Sequence, residues 1–502
     1  MIPGFHPDPS VCRVGEDYFV ACSSFEYFPG VPIYRSRDLR SWRLIANALD
    51  RPEQLALANA AASGGIFAPT LRHHAGRFWL ATTNASQGTH LIFTASRPAG
   101  PWSAPLVVDG APGIDPDLTW DSAGTCWFTY SSGATGRSGS IEQARIDLTT
   151  GRLLEPPTRL WSGTGLQHPE APHLYDVDGT WYLLIAEGGT ERGHAVSVAR
   201  GPTPGGPFEG APHNPILSHR STDHPVQNTG HADLVQRPDG GWAALLLGVR
   251  PGGRSPGFHV LGRETFLALV EWVDGWPKLG PIETIDDAHQ AEGSSIEHFD
   301  EGPLDPQWLS VRARPAGSWS LRERPGSLTL HATGHSLDET TPAFVGRRQQ
   351  HPRCTTRAAV DASSGVGGLV VRMDECHHYE VQLGAREIRC HARIGPVQQT
   401  LAFEACKTDA VVLRIEIEPN RVDDDRAFGP DVVRLGYEED ERFIVLAALD
   451  GRYLSTEVAT GFTGRVIGMY AAAGAVAFDW FEYRALPPAA GDAASGVCDA
   501  SP

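Results

Sequence analysis

The sequence predicts an all-β chain, a five-bladed β-propeller followed by a β-sandwich, on three observations. A weak unit recurs five times in the first half. Period-two alternation with no helical stripe runs through the second half. The 55 Gly and 39 Pro are scattered rather than clustered, so they punctuate short elements, as in turn-rich β proteins. At 502 residues the chain exceeds one ordinary core; at about 100–200 residues per domain two or three are allowed, and the pattern divides it into two.

Each repeat is a short motif with a carboxylate or Pro, then a Gly-containing turn, then an aromatic-rich strand. Asp8-Pro9-Ser10 leads to Asp17-Tyr18-Phe19-Val20, Ala68-Pro69-Thr70 to Phe78-Trp79-Leu80, and Asp115-Pro116-Asp117 to Cys126-Trp127-Phe128. Glu170-Ala171-Pro172 leads to Trp181-Tyr182-Leu183, and His231-Ala232-Asp233 to Trp242-Ala243-Ala244. Further turn-and-aromatic signals lie between the units, at Ser36 to Trp42, Ser96 to Trp102 and Pro204 to Phe208. Each unit thus holds about four short strands, the content of a propeller blade, and five blades span residues 1–285. The first strand of a blade lines the central channel. Asp8, Asp115, Glu170 and His231 open four different blades and should converge at one mouth.

A polar stretch at residues 286–295 reads as a linker. From 296 to 486 alternating strands such as Ser327-Leu328-Thr329-Leu330-His331 and Tyr379-Glu380-Val381-Gln382-Leu383, broken by turns such as Ala362-Ser363-Ser364-Gly365, predict the sandwich. The apolar run from Val466 to Phe478 is shorter than a membrane span and contains Gly468 and Gly474, so it reads as two strands and a turn. The Ala-, Gly- and Pro-rich tail, 487–502, is expected to be disordered.

A net charge of -18, with no Lys/Arg run, argues against nucleic acid and anionic membranes as partners and is indifferent to a neutral sugar. The start, Met1-Ile2-Pro3-Gly4-Phe5-His6, lacks the charged and apolar regions of a secretory signal, so a cytoplasmic location is expected. The eight cysteines show no CxxC and no paired spacing. Neither a zinc site nor a disulfide framework is indicated, and most should be buried free thiols.

A cluster of acids at a channel mouth suits glycosidic bond hydrolysis, in which one carboxyl protonates the leaving oxygen and another activates water or attacks the sugar. A third carboxylate raises the acid's pKa through like-charge repulsion. The residues also read otherwise. Asp8 and Asp115 fit Asp-Pro turns, Glu170 an exposed loop, His231 a hydrogen-bonded core histidine, Arg263 a partner of a surface acid, and Phe25, Phe28 and Phe67 the core. Glu187 competes for any acid role.

Gly4-Phe5-His6-Pro7-Asp8-Pro9-Ser10, followed by Ser23-Ser24-Phe25-Glu26-Tyr27-Phe28-Pro29-Gly30, resembles glycoside hydrolase family 43, the β-xylosidase and α-L-arabinofuranosidase family. Gly113-Ile114-Asp115-Pro116, Pro169-Glu170 before Pro172-His173-Leu174-Tyr175, Ala186-Glu187-Gly188-Gly189-Thr190, Gly230-His231-Ala232-Asp233 and Gly262-Arg263-Glu264-Thr265-Phe266 continue the resemblance in order. Pro342-Ala343-Phe344-Val345-Gly346-Arg347 and Phe462-Thr463-Gly464 are similar to the family's appended concanavalin-like, jelly-roll sandwich, so nearly the whole chain is covered. The resemblance implies an inverting enzyme with Asp8 as general base, Glu170 as general acid and Asp115 tuning the acid, the first two about 6.5–9.5 Å apart to admit water. It also implies that Arg263 binds sugar hydroxyls, that Phe25 and Phe67 wall the pocket, that Phe462 narrows its entrance, and that His231 lies beneath the sugar, beside a water-coordinated calcium ion. No metal ligand is assigned and no cofactor is required. Three positions depart from the pattern: Phe67 where relatives often carry Trp or Tyr, Ala171 where Gly is usual, and Asp117 where Ser is common. The last two are expected to alter the acid's surroundings.

The expected activity is exo-acting release of terminal pentoses from hemicellulose-derived oligosaccharides, with a small lean towards α-L-arabinofuranosidase from the segment Gly64 to Thr70. The sandwich is expected to close the pocket and to stabilise a compact enzyme or homo-oligomer. A sugar-binding propeller without turnover, and a retaining enzyme acting on fructosides or sialosides, are the alternatives.

Overall fold

The computed structural model describes residues 1–133, 139–284, 294–300, 302–420 and 428–487. All of the expected linker except Ser294 and Ser295, and all of the expected tail except Pro487, lie outside these residues.

Five antiparallel sheets of four or five strands follow one another along the first 283 residues. Their first strands, Ser10–Val14, Ile66–His74, Ile114–Trp120, Glu170–Val177 and Gln227–Gln236, pack against one another in a closed ring, so the sheets are the blades of a propeller. Because side chains alternate across each strand, every blade has two apolar faces, and one apolar cluster fills each of the five interfaces between neighbouring blades. The ring is closed by the N-terminal segment. Ile2 pairs with Thr265, the His6 N–H donates to the Arg263 carbonyl at 3.0 Å, and the Gly4 N–H donates to Glu264 Oε1 at 3.0 Å. This closure brings Asp8 of the first blade beside Arg263 of the last.

At an equivalent position at the mouth of each blade's inner strand a non-glycine residue adopts a left-handed backbone: Asp8 (φ 57°), Ala68 (29°), Asp115 (58°), Ala171 (53°) and His231 (47°). The pairing register shifts at this point in blades two to five, a β-bulge that turns the side chain towards the mouth. The repeat is thereby corrected by one residue in the fourth blade. Ala171, not Glu170, is the counterpart of Asp8 and Asp115, and Glu170 lies one position earlier.

The second domain is a β-sandwich wound around two long antiparallel strands, Cys354–Asp374 and Val466–Ala485. The first half of Cys354–Asp374 pairs with Ala410–Pro419 and the second half with His377–Gly384, so both long strands pass from one layer to the other. Residues of both layers fill a single core. The turn expected at 362–365 and the two strands expected over 466–478 are instead bends within continuous strands. Register breaks around Asp361/Ser364, and Gly365 and Gly474 sit where any Cβ would strike the opposite backbone, so glycine lets the two strands bend together. Phe5, Phe25 and Tyr27 of the propeller share an apolar cluster with Leu309, Val311, Phe344, Val370 and Tyr470 of the second domain, and Ser310–Val311 pairs with Tyr27–Phe28 across the junction. No helix among the described residues is long and apolar enough to cross a membrane.

Candidate active site

The left-handed positions and the closure of the ring place Asp8, Asp115, Glu170, His231 and Arg263 around one cavity of about 650 Å³ at the mouth, walled by Phe25 and Phe67 and overhung by Phe462 from the sandwich. The eight residues to which the resemblance gives a site role therefore line one cavity. That volume suits one or two sugar rings.

Asp8 is buried and fully engaged. The Ser23 hydroxyl donates to Oδ2 at 2.5 Å, Arg263 Nη1 donates to Oδ1 at 3.1 Å, and His231 Nδ1 lies 3.4 Å from Oδ1. Burial pushes its pKa up, but the Arg263 charge, His231 and the Ser23 bond outweigh burial and hold the carboxyl below its ordinary value. Glu170 is the opposite case. Its carboxyl has no hydrogen-bond partner among the described residues, and burial, reinforced by the negative charges of Asp115 and Asp8, raises its pKa well above the ordinary value. Asp115 is also raised, by burial and by Asp8. Asp115 and Glu170 titrate as a coupled pair, and at neutral pH a proton is held on the pair. Asp115 Oδ2 also accepts the Ala171 N–H at 3.0 Å, so one carboxylate fixes the backbone that carries Glu170 and sets the field around it.

Arg263 reaches from Asp8 to the Thr190 hydroxyl, 3.0 Å away, and its guanidinium lies 5.6 Å from the Phe25 ring centre and 5.2 Å from that of Phe462. Phe25, Phe67 and Phe462 form a mutual triad with centroids 5.5–6.1 Å apart. Phe28 belongs to the core between blades one and two. Glu187 is removed from the contest for the acid role: fully buried outside the cavity, it accepts bonds from Thr164 and Ser197 and pins the loop before Glu170.

Asp117 also departs from expectation, since it is not beside the acid. It faces the propeller axis, where Arg72 bridges Asp117 Oδ1 at 2.7 Å and Asp233 Oδ2 at 2.8 Å. Tyr175 donates to Asp233 at 2.5 Å, Ser10 donates to it at 2.7 Å, and Arg72 lies 2.9 Å from His173 Nδ1. All five blades thus meet at one polar knot under the cavity floor. Aligning the repeats on their left-handed residue puts Ser10, Thr70, Asp117, His173 and Asp233 at one equivalent position. Ser23 and Thr190, which hold Asp8 and Arg263, carried no signal of role beyond lying within the quoted motifs.

Burial keeps His231 neutral, pushing its pKa down to about 3. Its surroundings supply imidazoles and the one carboxylate already taken by Ser23 and Arg263, not the six to eight oxygens that calcium collects. Among the described residues no group of three or more His, Cys, Asp or Glu side chains is placed to hold a metal. A calcium ion beside His231 would therefore have to be held through water, as the resemblance implies, rather than by these side chains.

A propeller whose mouth gathers two buried carboxyls and a half-buried third in opposed protonation states, under an aromatic overhang, defines a glycoside hydrolase. Comparison with known proteins agrees: residues 1–277 match the family described as glycosyl hydrolases family 43, and residues 296–484 the beta xylosidase C-terminal concanavalin A-like domain. The chain belongs to glycoside hydrolase family 43. It is 37% identical to the non-reducing end alpha-L-arabinofuranosidase of Bacteroides ovatus, over 97% of this chain and 94% of that protein. It is 35% identical to a xylosidase/arabinosidase of Butyrivibrio fibrisolvens, over 94% and 95%. Among solved structures it resembles the GH43B protein of the Bacteroides ovatus xyloglucan locus (TM-score 0.86, 36% identity, 97% of this chain and 99% of that one). It also resembles a family 43 protein of Bacillus licheniformis (0.87, 30%, 97% and 99%).

Proposed function

We propose that this enzyme is an exo-acting, inverting pentosidase that removes terminal α-L-arabinofuranosyl, and more slowly β-D-xylopyranosyl, groups from hemicellulose-derived oligosaccharides. The observation that carries the reading is the pairing, in one cavity, of an ionised Asp8 with a proton-bearing Glu170. Glu170 donates its proton to the glycosidic oxygen as the bond to the anomeric carbon breaks. Asp8 takes a proton from the water that attacks that carbon from the opposite face. Asp115 keeps Glu170 protonated and oriented, Arg263 and the neutral His231 hold the sugar's hydroxyls, and Phe25 and Phe67 pack on its ring. The axial knot under the cavity and Phe462 over it leave room for a chain end rather than for a through-running polymer, which supports exo action. The relatives named for arabinofuranosidase and xylosidase activity support the sugar class. No cofactor is called for, since every step is a proton transfer between carboxyls, water and substrate. The seven described cysteines, all unpaired, suit a reducing cytoplasm, and assembly into a homo-oligomer through the sandwich is part of the same proposal.

The test is hydrolysis of matched aryl α-L-arabinofuranoside and β-D-xylopyranoside by wild type and Asp8→Ala, with the product anomer followed by NMR. Turnover that depends on Asp8 and releases the inverted sugar is expected. Saturable binding of either pentose without turnover would make the propeller a sugar-binding module instead.

A further inference from the structure

Phe462 is held over the cavity by a contact from the opposite domain. Its N–H donates to Ser63 Oγ at 2.8 Å. Ser63 is itself held in a left-handed backbone (φ 58°) by its own N–H, which donates to Glu26 Oε2 at 3.0 Å. Gly461, beside Phe462, has no side chain to keep Ser63 away; a Cβ there would collide with the Ser63 hydroxyl. Glu26 is fully buried and follows directly after Phe25, the other aromatic wall. Its carbonyl accepts the Arg312 N–H at 2.7 Å across the domain junction.

We propose that Glu26 and Ser63 are positioning residues that set the distance between Phe25 and Phe462, so that the charge on Glu26 tunes how tightly the cavity grips its sugar. The assignment deepens the pentosidase reading and rests on it for the identity of the sugar. Glu26 touches no substrate; it acts through the Ser63 amide and hydroxyl. The groups facing it from the packed elements are Arg372, Arg312 and Glu375, with Tyr27 donating no charge but lying 3.1 Å from Arg372. Arg312 and Arg372 both bind Glu375, neither guanidinium is paired with Glu26, and Glu26 Oε1 has no hydrogen-bond partner among the described residues. Burial raises the carboxyl to about 7, against the pull of Arg372, so its charge changes within the neutral range. The ionised form accepts the Ser63 N–H more strongly than the neutral acid does.

In full-length enzyme Ser63→Ala is expected to raise KM about fivefold, the worth of one hydrogen bond, with kcat within about twofold of wild type. In Glu26→Gln, which keeps an acceptor for Ser63 but cannot ionise, the ratio of its KM to that of wild type should rise severalfold as pH is raised from about 6 to 8. Amide hydrogen exchange of the peptide spanning Phe462 reads the contact with no substrate present. Faster exchange there in Ser63→Ala, with the Asp8 segment unchanged, is expected even if pentosides prove to be the wrong substrate. Unchanged exchange at Phe462, a pH-independent KM ratio, or a parallel loss of kcat and melting temperature would overturn the proposal. Ser63→Ala decides alone if Glu26→Gln does not fold.

Discussion

Asp8 and Glu170 are carboxyls of nearly equal intrinsic acidity, so their division of labour lies in their neighbours. Arg263, His231 and Ser23 converge on Asp8, whereas at Glu170 burial and the charges of Asp115 and Asp8 outweigh the pull of Arg263. The activity profile should therefore be bell-shaped. It falls at low pH as Asp8, whose pKa lies below the ordinary value, takes up a proton, and at high pH as the Asp115–Glu170 pair loses its own. Asp115→Asn removes the charge that raises Glu170 while keeping an acceptor for the Ala171 N–H. The alkaline limb is expected to move to lower pH, read from kcat/KM against pH. Glu170→Ala should lose about 10²–10⁴ in turnover of natural oligosaccharides and far less on aryl glycosides, whose leaving groups need no protonation. Equal losses on both would count against Glu170 as the acid. These residue types were legible in the sequence because Asp-Pro opens two blades and Pro169-Glu170 a third, and their roles because the surrounding motifs resemble those of the family. Ser23 and Thr190 were not, since a hydroxyl's role depends on what the fold brings within 3 Å of it.

The element that delivers these side chains is the bulged start of an inner strand, and its left-handed backbone is costly for any residue with a Cβ, about 1–2 kcal/mol each. All five positions carry side chains or contacts that use the geometry; at Ala171 the use is the N–H bond to Asp115, and at Ala68 the N–H bond to the Ser23 hydroxyl. Ala171→Gly should raise the melting temperature slightly, because relief of strain is only partly offset by about 0.5–1 kcal/mol of added unfolded-chain entropy. Ala171→Val, β-branched at φ 53°, is expected to cost about 2 kcal/mol. It should also lower kcat by displacing the amide from Asp115, as thermal denaturation and steady-state kinetics would show. Five blades were readable because each repeats its turn and aromatic strand. The one-residue offset of Glu170 was not, because a bulge inserts a residue without changing the local pattern. Likewise the bends at Gly365 and Gly474 look like turns in a sequence, and only the partner strand, bending alongside, makes them continuous.

At the scale of the whole molecule, the five blades are joined by apolar interfaces around the rim and by the single polar knot on the axis. Arg72 there neutralises two carboxylates, Asp117 and Asp233, that are wholly shielded from water. Burial favours their neutral forms, yet the Arg72 charge, with His173, the Asp117–Thr119 bond and the Asp233–Tyr175 bond, holds both below the ordinary aspartate value. The sequence disclosed the ring but not this fastening, because Arg72, Asp117 and Asp233 are far apart in the chain, and nothing in Asp117, expected beside the acid, or in Asp233, quoted only within a motif, pointed to a shared arginine. Their folded pKa values being depressed, the stability they contribute is present above the unfolded aspartate value, near 4, and is lost as pH falls through the folded values. Arg72→Met leaves two buried charges without a counterion and is expected to cost about 3–5 kcal/mol at pH 7. In the variant the sign reverses: both carboxyls are now raised, and protonation relieves them. The gap in melting temperature between wild type and Arg72→Met should therefore narrow as pH is lowered from 7 to about 4. Adding Asp117→Ser, which removes one of the orphaned charges, should recover part of the loss at pH 7. A gap that stays constant with pH, or a double variant no more stable than Arg72→Met, would show that packing and not charge holds the axis.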